Sequence, residues 1–221
     1  MQPWKLDKIL EKLKANKGCD INYDHLKNLD DRNREDLLEL VNKFIQIIEE
    51  LSSYIMNGGI SSMISKGKGK PIDLINSWRC ITICPSITRL VDVYFEEVLQ
   101  EHLAQRLNRN QYGYRAGLPY TQCRVVVNEC QRLARDRNEE CFIGSIDAKA
   151  AFPSLDRDIM FDRMDVTGDL WLYLDSIYSR TACVIKHGNK KTKYIREDAG
   201  ARQGQQSASE SWKGYQDPCL V

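Results

Sequence analysis

Asp147 stands where a carboxylate could do chemistry, at the end of a predicted strand. Residues 141–147 read CFIGSID, an apolar run that closes on this acid, and the small residues after it predict a tight turn. A carboxylate at a strand end can meet a ligand, or its oxygens can cap the turn that follows. The residues alone leave both interpretations of Asp147 open.

Rows of positive side chains point to a second kind of chemistry, the binding of phosphates. Residues 57–77 set lysines among glycines, as in an exposed loop or hairpin, and residues 119–137 predict a helix with an arginine face. Residues 181–197 predict a β-hairpin with Gly188 and Asn189 at its tip. Such rows are also typical of solvated surface. The three rows comprise Lys66, Lys68 and Lys70; Arg124, Arg132, Arg135 and Arg137; and Lys186, Lys190, Lys191, Lys193 and Arg196.

The cysteines favour no metal site. There are eight of them, several within apolar stretches, and the chain has only three histidines. The pair Cys80 and Cys84 therefore has few partners with which to complete a zinc site. Buried free thiols account better for this pattern.

Helices and strands must position these groups. Apolar residues at helical spacing predict helices at 6–13, ending by Gly18, and at 37–51, and a third helix from Ser86 whose apolar residues belong to the core. The remaining predicted elements are a strand at 78–83, a short helix from Asp156 and a helix at 170–178. The mixture of helices and antiparallel strands predicts the α+β class.

The composition excludes several classes of protein. A chain of 221 residues can bury a full core in one or two domains. Its formal net charge of +1 excludes a polybasic tail or an acidic solvating chain. No apolar run approaches the roughly 20 residues that a membrane span needs, so we expect no membrane association and an intracellular location.

Motifs in a fixed order relate the chain to a known family. SWRCIT, NQYGYRAG, SIDAKAAFPSLDRDIM and EDAGARQG follow one another, with KGKGKPIDLINSWRCI overlapping the first. Each is weak alone, but their order and separations resemble the reverse transcriptase, or RNA-directed DNA polymerase, of non-LTR (LINE-type) retrotransposons. The resemblance covers about residues 5–204.

The resemblance implies a partial right-hand polymerase fold, in which antiparallel strands pack with helices. We expect an N-terminal helical extension at 1–56, fingers at 57–140, part of the palm at 141–204 and a divergent tail at 205–221.

Nucleotidyl transfer in this family takes place between two metal ions. The resemblance implies that Asp147 is the catalytic residue and the first Mg²⁺ ligand, and that the carbonyl of Ala148 adds an oxygen. It also implies that Phe152 lies under the incoming sugar and rejects ribonucleotides. Phe152 could equally be an ordinary core residue.

A nucleotide-binding set follows from the same resemblance. Arg79 matches the fingers arginine that grips the triphosphate, with Lys66 and Lys68 as assisting charges. Gln203 and Gly204 match the motif at which the backbone approaches the nucleotide. Without the resemblance, Arg79 would be a surface charge on a strand.

The turn between fingers and palm is the third matching set. Gln111, Gly113 and Arg115 match residues that contact template and primer, where Gly113 relieves the backbone and Arg115 reaches a template phosphate. A purely structural role for this turn stays open.

The sequence departs from the family in ways that bear on catalysis. Cys80 and Pro153 replace the family's proline and aspartate, and the paired aspartates of the Tyr/Phe-x-Asp-Asp motif do not occur. We therefore expect the magnesium site to lack its main ligands. We also expect residues 142–147 to have an unpaired strand edge and an exposed apolar flank, and the isolated chain to be unstable.

These observations predict a truncated reverse transcriptase domain, inactive on its own. The complete enzyme would copy an RNA template onto a DNA primer, with deoxynucleoside triphosphates and Mg²⁺. The alternatives are a non-catalytic remnant that binds RNA or an RNA/DNA hybrid, and a decayed fragment whose palm a second chain completes. The resemblance implies a nuclear site of action, although KGKGK is too short to serve as an import signal.

Overall fold

The computed structural model describes residues 1–13, 23–47, 58–67, 69–115, 117–179 and 181–217. Gly18, Lys68 and the last residues of the helix predicted at 37–51 lie outside the described residues. Within them the chain is an α+β protein, with eight α-helices and a five-stranded mixed sheet. No helix of this described part is long and apolar enough to cross a membrane.

Two of the helices begin after capping aspartates, and α1 and α3 begin at Pro3 and Asp31, earlier than the apolar spacing predicts. Asp30 caps α3 by accepting a hydrogen bond from the Asn33 amide at 2.8 Å, and Asp156 caps α6 by accepting one from the Ile159 amide at 3.1 Å. Every predicted helix that falls on described residues is confirmed. The helices are α1 (Pro3–Lys12), α2 (Tyr23–Lys27), α3 (Asp31–Gln46), α4 (Ser86–Ala104), α5 (Tyr120–Asp136), α6 (Arg157–Met164), α7 (Gly168–Ser179) and α8 (Ala208–Gln216).

Helix α4 is the centre of the core, as its apolar residues predict. Leu90 and Leu99 are fully buried, and burying such a side chain stabilises the fold by about 1.5–3 kcal/mol. The Phe95 ring stacks on the Tyr173 ring of α7 with centroids 4.1 Å apart. Helices α1, α3 and α8 also contact α4. The segment at 205–221, expected to diverge from the family, thus contributes a packed helix.

The sheet joins two hairpins from distant parts of the chain. Its strands are β1 (Gly58–Ser65), β2 (Trp78–Ile83), β3 (Ala182–His187), β4 (Lys190–Lys191) and β5 (Ile195–Arg196). The order is β2-β1-β3-β4, and β5 also pairs with β3. The β3–β4 hairpin and strand β2 confirm the predictions for 181–197 and 78–83. Residues 57–77, for which the sequence leaves a loop or a hairpin open, supply β1, which pairs with β2. The expectation of antiparallel strands alone is wrong, because β1 and β3 are parallel.

The strand predicted at 141–147 is absent, and this prediction is wrong. Residues 141–150 form no ladder, and all of them are exposed, with Phe142 at 88% and Ile146 at 100% of their maximal accessible surface. Since no described strand lies beside this segment, its backbone has no partner with which to form a ladder. In helix α5 before it, none of residues 121–136, whose burial is described, is buried. We call α5 and residues 141–150 the arm.

Candidate functional site

Gln203 and Gly204 lie against β2. The Thr82 amide donates a hydrogen bond to the Gln203 carbonyl at 2.8 Å. Gly204 adopts a φ of +110°, and a Cβ atom there would lie 2.4 Å from the Thr82 carbonyl oxygen. Only glycine allows this conformation and this approach. The glycine predicted to bring the backbone close to a nucleotide therefore brings it close to a strand.

The same segment is joined to the turn that carries Phe152. The Ala201 amide donates to the Phe152 carbonyl at 2.8 Å, and the Gly200 amide donates to the Leu155 carbonyl at 2.9 Å. The Phe152 ring is half-buried and lies 6.0 Å from the Trp212 ring of α8. Phe152 thus packs against the core and is also held beside the segment that carries Gln203.

Buried Asp92 of α4 fixes the other end of that segment. Its carboxylate accepts hydrogen bonds from the Gln206 amide at 2.6 Å, the Ser207 amide at 3.4 Å and the Tyr173 hydroxyl at 2.5 Å. Burial raises the pKa of Asp92, and these donors oppose the rise. The signal in the sequence is an acid between Val91 and Val93 in a helix that is otherwise apolar there.

Two arginine side chains donate hydrogen bonds to the residues just before this segment and at its start. Arg157 donates hydrogen bonds to the carbonyls of Gly200 and Glu197, each at 2.9 Å, and its burial lowers its pKa. Buried Arg202 donates to the Glu197 carboxylate at 2.7 Å and to the Ala182 carbonyl at 2.8 Å. We call residues 200–207 the clamped segment, because β2, the Phe152 turn and α4 all hold it.

A cleft of about 570 Å³ opens beside the clamped segment. Its floor is one face of the β1–β2 hairpin, and its other walls come from α4, the turn at 111–115 and the clamped segment. Burial and the charges of Asp92 and Glu210 raise the pKa of Glu96, on the cleft wall, to about 7. The lining residues include Ser62, Ile64, Ile81, Ile83, Glu96, Tyr114, Gly204 and Gln205.

The cations that the resemblance assigns to nucleotide binding differ in what they contact. Arg79 is exposed on β2 and pairs in register with Ile64 of the cleft. Lys66 donates through Nζ to the Asn76 carbonyl at 2.8 Å, which closes the loop between β1 and β2. Arg79 is therefore available to a phosphate, whereas Lys66 already supports its own loop. Lys68 lies outside the described residues.

The turn at 111–115 is built by its own polar groups. Buried Gln111 accepts a hydrogen bond from the Gly113 amide at 3.1 Å, and Arg115 donates to the Asn108 carbonyl at 3.1 Å. The left-handed conformation falls on Tyr114, with φ of 56°, rather than on Gly113. Gly113 thus gives no left-handed residue, but a Cβ atom there would lie 3.3 Å from the Gln111 Oε1 atom.

Helix α8 holds this turn in place. Lys213 donates a hydrogen bond to the Tyr114 carbonyl at 3.0 Å. The same ammonium forms a buried ion pair with Glu210. Tyr114 is thereby fixed at the edge of the cleft.

Asp147 and Ala148 lie apart from these residues, in the arm. Both are exposed, and Asp147 makes no hydrogen bond or ion pair within the described part of the chain. Among residues 1–13, 23–47, 58–67, 69–115, 117–179 and 181–217, no three His, Cys, Asp or Glu side chains form a group that could hold a metal ion. The described residues therefore do not fit the Mg²⁺ centre that the resemblance implies.

The structure thus brings some, but not all, of the residues expected from the resemblance close together. Arg79, Phe152, Gln203 and Gly204 lie on segments connected by direct hydrogen bonds. Of the turn that carries Gln111, Gly113 and Arg115, only Tyr114 lines the cleft among the described residues. No model of a known protein family matches the chain. The cleft combines an apolar floor with a neighbouring guanidinium, which is suited to a ligand with flat rings and phosphates.

Proposed function

We propose that the chain is the fingers and part of the palm of a non-LTR-type reverse transcriptase domain. In this proposal it holds a nucleic-acid strand and a nucleotide at the cleft, and does not complete nucleotidyl transfer by itself.

The proposal rests on hydrogen bonds that connect three segments lying far apart in the sequence. The Thr82–Gln203 hydrogen bond connects the strand of Arg79 to the clamped segment, and the Ala201–Phe152 hydrogen bond connects that segment to the Phe152 turn. These are the segments that the family resemblance implicates in nucleotide binding. The resemblance alone does not require them to share one cleft, so their proximity supports the proposal.

The chemistry available at the cleft is binding and orientation. Arg79 offers a planar, permanently charged fork to phosphate oxygens. The isoleucine floor and Tyr114 offer apolar surface to bases. Since the described residues do not fit a Mg²⁺ centre, we assign no catalytic step to it.

Primer extension on an RNA template, with Mg²⁺ and deoxynucleotides, tests the proposal together with measurements of nucleotide and RNA binding. We expect no extension, salt-sensitive RNA binding, and nucleotide binding that Arg79→Gln weakens about tenfold, the value of one charge-assisted contact. Lys70→Gln, an exposed lysine on the loop before β2, is the matched control.

Two results would contradict the proposal. Extension that Asp147→Ala abolishes would show a working metal site and overturn the statement that the chain is inactive alone. Absence of both nucleotide and RNA binding in the wild-type chain would overturn the assignment to a polymerase domain.

A second candidate is a subunit that completes its fold with another chain. The exposure of Phe142, Ile143 and Ile146 in the arm favours it, because water contact with such a run is unfavourable. Sedimentation velocity would show self-association that Phe142→Asp and Ile146→Asp reduce. A monomer with one sharp cooperative thermal transition would contradict this candidate.

A further inference from the structure

The strand register places basic residues of the β3–β4 hairpin on the same sheet face as the cleft. Ser62 of β1 pairs with Ile81 of β2 and with Lys186 of β3, and Lys186 pairs with Lys191 of β4. Paired residues of neighbouring strands share a face. Since Ser62 and Ile81 line the cleft, Lys186 and Lys191 extend that lined face sideways.

The neighbouring lysine lies on the other face. Lys190 pairs with His187, and side chains alternate between faces along a strand. His187 contacts the Trp78 ring, with centroids 5.2 Å apart, and Trp78 is one residue from Arg79 and so on the opposite face. The hairpin therefore separates its lysines into a cleft face, with Lys186 and Lys191, and a reverse face, with Lys190.

The cleft-face cations are not neutralised by ion pairs, although Glu96 lines the cleft itself. Arg79, Lys186 and Lys191 are exposed, and none forms an ion pair with a carboxylate in the described ranges. By contrast, Arg196 on β5 pairs with Asp198. A chain with a net charge of +1 thus concentrates positive charge on this one face.

The dimensions of the face match a short nucleic-acid strand. Three steps between adjacent strands separate β2 from β4, which is about 14 Å at roughly 4.8 Å per step. One stacked strand presents a phosphate about every 3.4 Å, so the row spans about four phosphates. The cleft volume is that of a small-ligand site, which accepts unpaired bases rather than a duplex.

We propose that the β3–β4 hairpin binds the phosphate backbone of a single-stranded nucleic acid whose bases enter the cleft. Lys186 and Lys191 contact successive phosphates, and Arg79 contacts the backbone at the far edge of the same face. This inference rests on the proposed function and assigns to it a strand-binding surface beyond the residues that the motifs indicate.

The test is fluorescence anisotropy with a labelled 12-nucleotide RNA, measured from 50 to 200 mM salt. For single strands the slope of log affinity against log salt is about 0.7 for each phosphate contact. We expect Lys186→Gln/Lys191→Gln to reduce the slope by about 1.4 and to weaken binding about 25-fold at 0.1 M salt. Lys191→Gln alone should reduce it by about 0.7, and Lys190→Gln should change neither quantity.

Circular dichroism of each variant checks that the fold is retained. Equal loss of affinity in Lys190→Gln and Lys191→Gln would overturn the assignment to the cleft face and leave the proposed function standing. Failure of the wild-type chain to bind any oligonucleotide would overturn both. Binding to vesicles containing phosphatidylserine, without RNA binding, would show that the hairpin faces a membrane instead.

Discussion

The clamped segment and the arm differ in how far their side chains are buried. In the clamped segment backbone groups hydrogen-bond to β2, the Phe152 turn and Asp92 of α4, and Ala201, Arg202 and Ser207 are buried. In the arm the apolar side chains Phe142 and Ile146 are exposed. Tertiary contacts therefore fix the conformation of the first region, whereas α5 is held mainly by interactions within the helix, such as the ion pair of Arg132 with Asp136. Substitutions should therefore be costly in the first region and nearly neutral in the second.

Asp92→Ala should have the largest effect. It removes the acceptor for the Tyr173 hydroxyl and the Ser207 amide, both buried, and each unsatisfied buried donor costs about 1–3 kcal/mol. We expect a loss of about 4 kcal/mol in the free energy of unfolding, measured by urea denaturation. Exposed Asp162→Ala should stay within about 0.5 kcal/mol of wild type. A small loss in Asp92→Ala would show that α4 does not hold the clamped segment.

Gly204→Ala should lower the free energy of unfolding by about 3 kcal/mol. Alanine is strained at this φ, and its Cβ atom would collide with the Thr82 carbonyl oxygen. Gly188→Ala, at the hairpin tip, has a φ of +58° but meets nothing within 4 Å, so it should cost only about 1 kcal/mol. The difference between the two variants in free energy of unfolding, measured by urea denaturation, gives the contribution of the close contact between Gly204 and β2. Equal losses would mean that this contact contributes nothing.

The stability of the cleft wall should depend on pH through Glu96. Because the folded state raises the pKa of this carboxyl from 4.5 to about 7, the folded chain binds more protons than the unfolded chain in that interval. Stability should be highest near pH 4.5 for this group and fall as the pH rises to about 7. Allowing for solvent screening of a partly exposed side chain, the change is about 1 kcal/mol.

Glu96→Gln should flatten this pH dependence, because glutamine cannot ionise. Glu101→Gln, an exposed change on the same helix, is the matched control and should leave the profile unchanged. The measurement is urea denaturation at pH 5 and pH 7.5. An unchanged profile in Glu96→Gln would assign the dependence to another group.

Ile146→Ala, in the arm, should have the smallest effect. The side chain is fully exposed, so its loss removes no packing, and the free energy of unfolding should change by less than about 0.5 kcal/mol. Leu174→Ala in α7 removes a buried side chain of similar size and should cost about 2–5 kcal/mol. A loss above 1 kcal/mol in Ile146→Ala would show that the arm packs against something in solution.

Most helices and the β3–β4 hairpin could be predicted because their signals are local. A 3.6-residue apolar period marks α1 and α4, and Gly188 with Asn189 marks a hairpin tip. A local signal could not decide whether residues 141–147 form a strand. Its apolar run reads as a strand, but a strand needs a neighbour, and the described sheet offers none beside it.

The candidate site likewise has a part that could be predicted from the sequence and a part that could not. Arg79, Phe152, Gln203 and Gly204 could be selected from the sequence through the family resemblance, whereas the two hydrogen bonds that join their segments could not. Asp92 gave only the indirect signal of an acid within an apolar helix. Asp147 does not stand at a strand end, because residues 141–147 pair with no strand of the described sheet.

The sequence was enough to predict the α+β class, the presence of most helices and the β3–β4 hairpin, because hydrophobic period, caps and turn residues act over a few positions. Only the tertiary structure decided that β1 lies parallel to β3, which puts Lys186 on the cleft face and Lys190 on the reverse. It also decided which polar groups are buried and that the arm is exposed. Such outcomes depend on which distant segments meet, and no local pattern of residues contains that information.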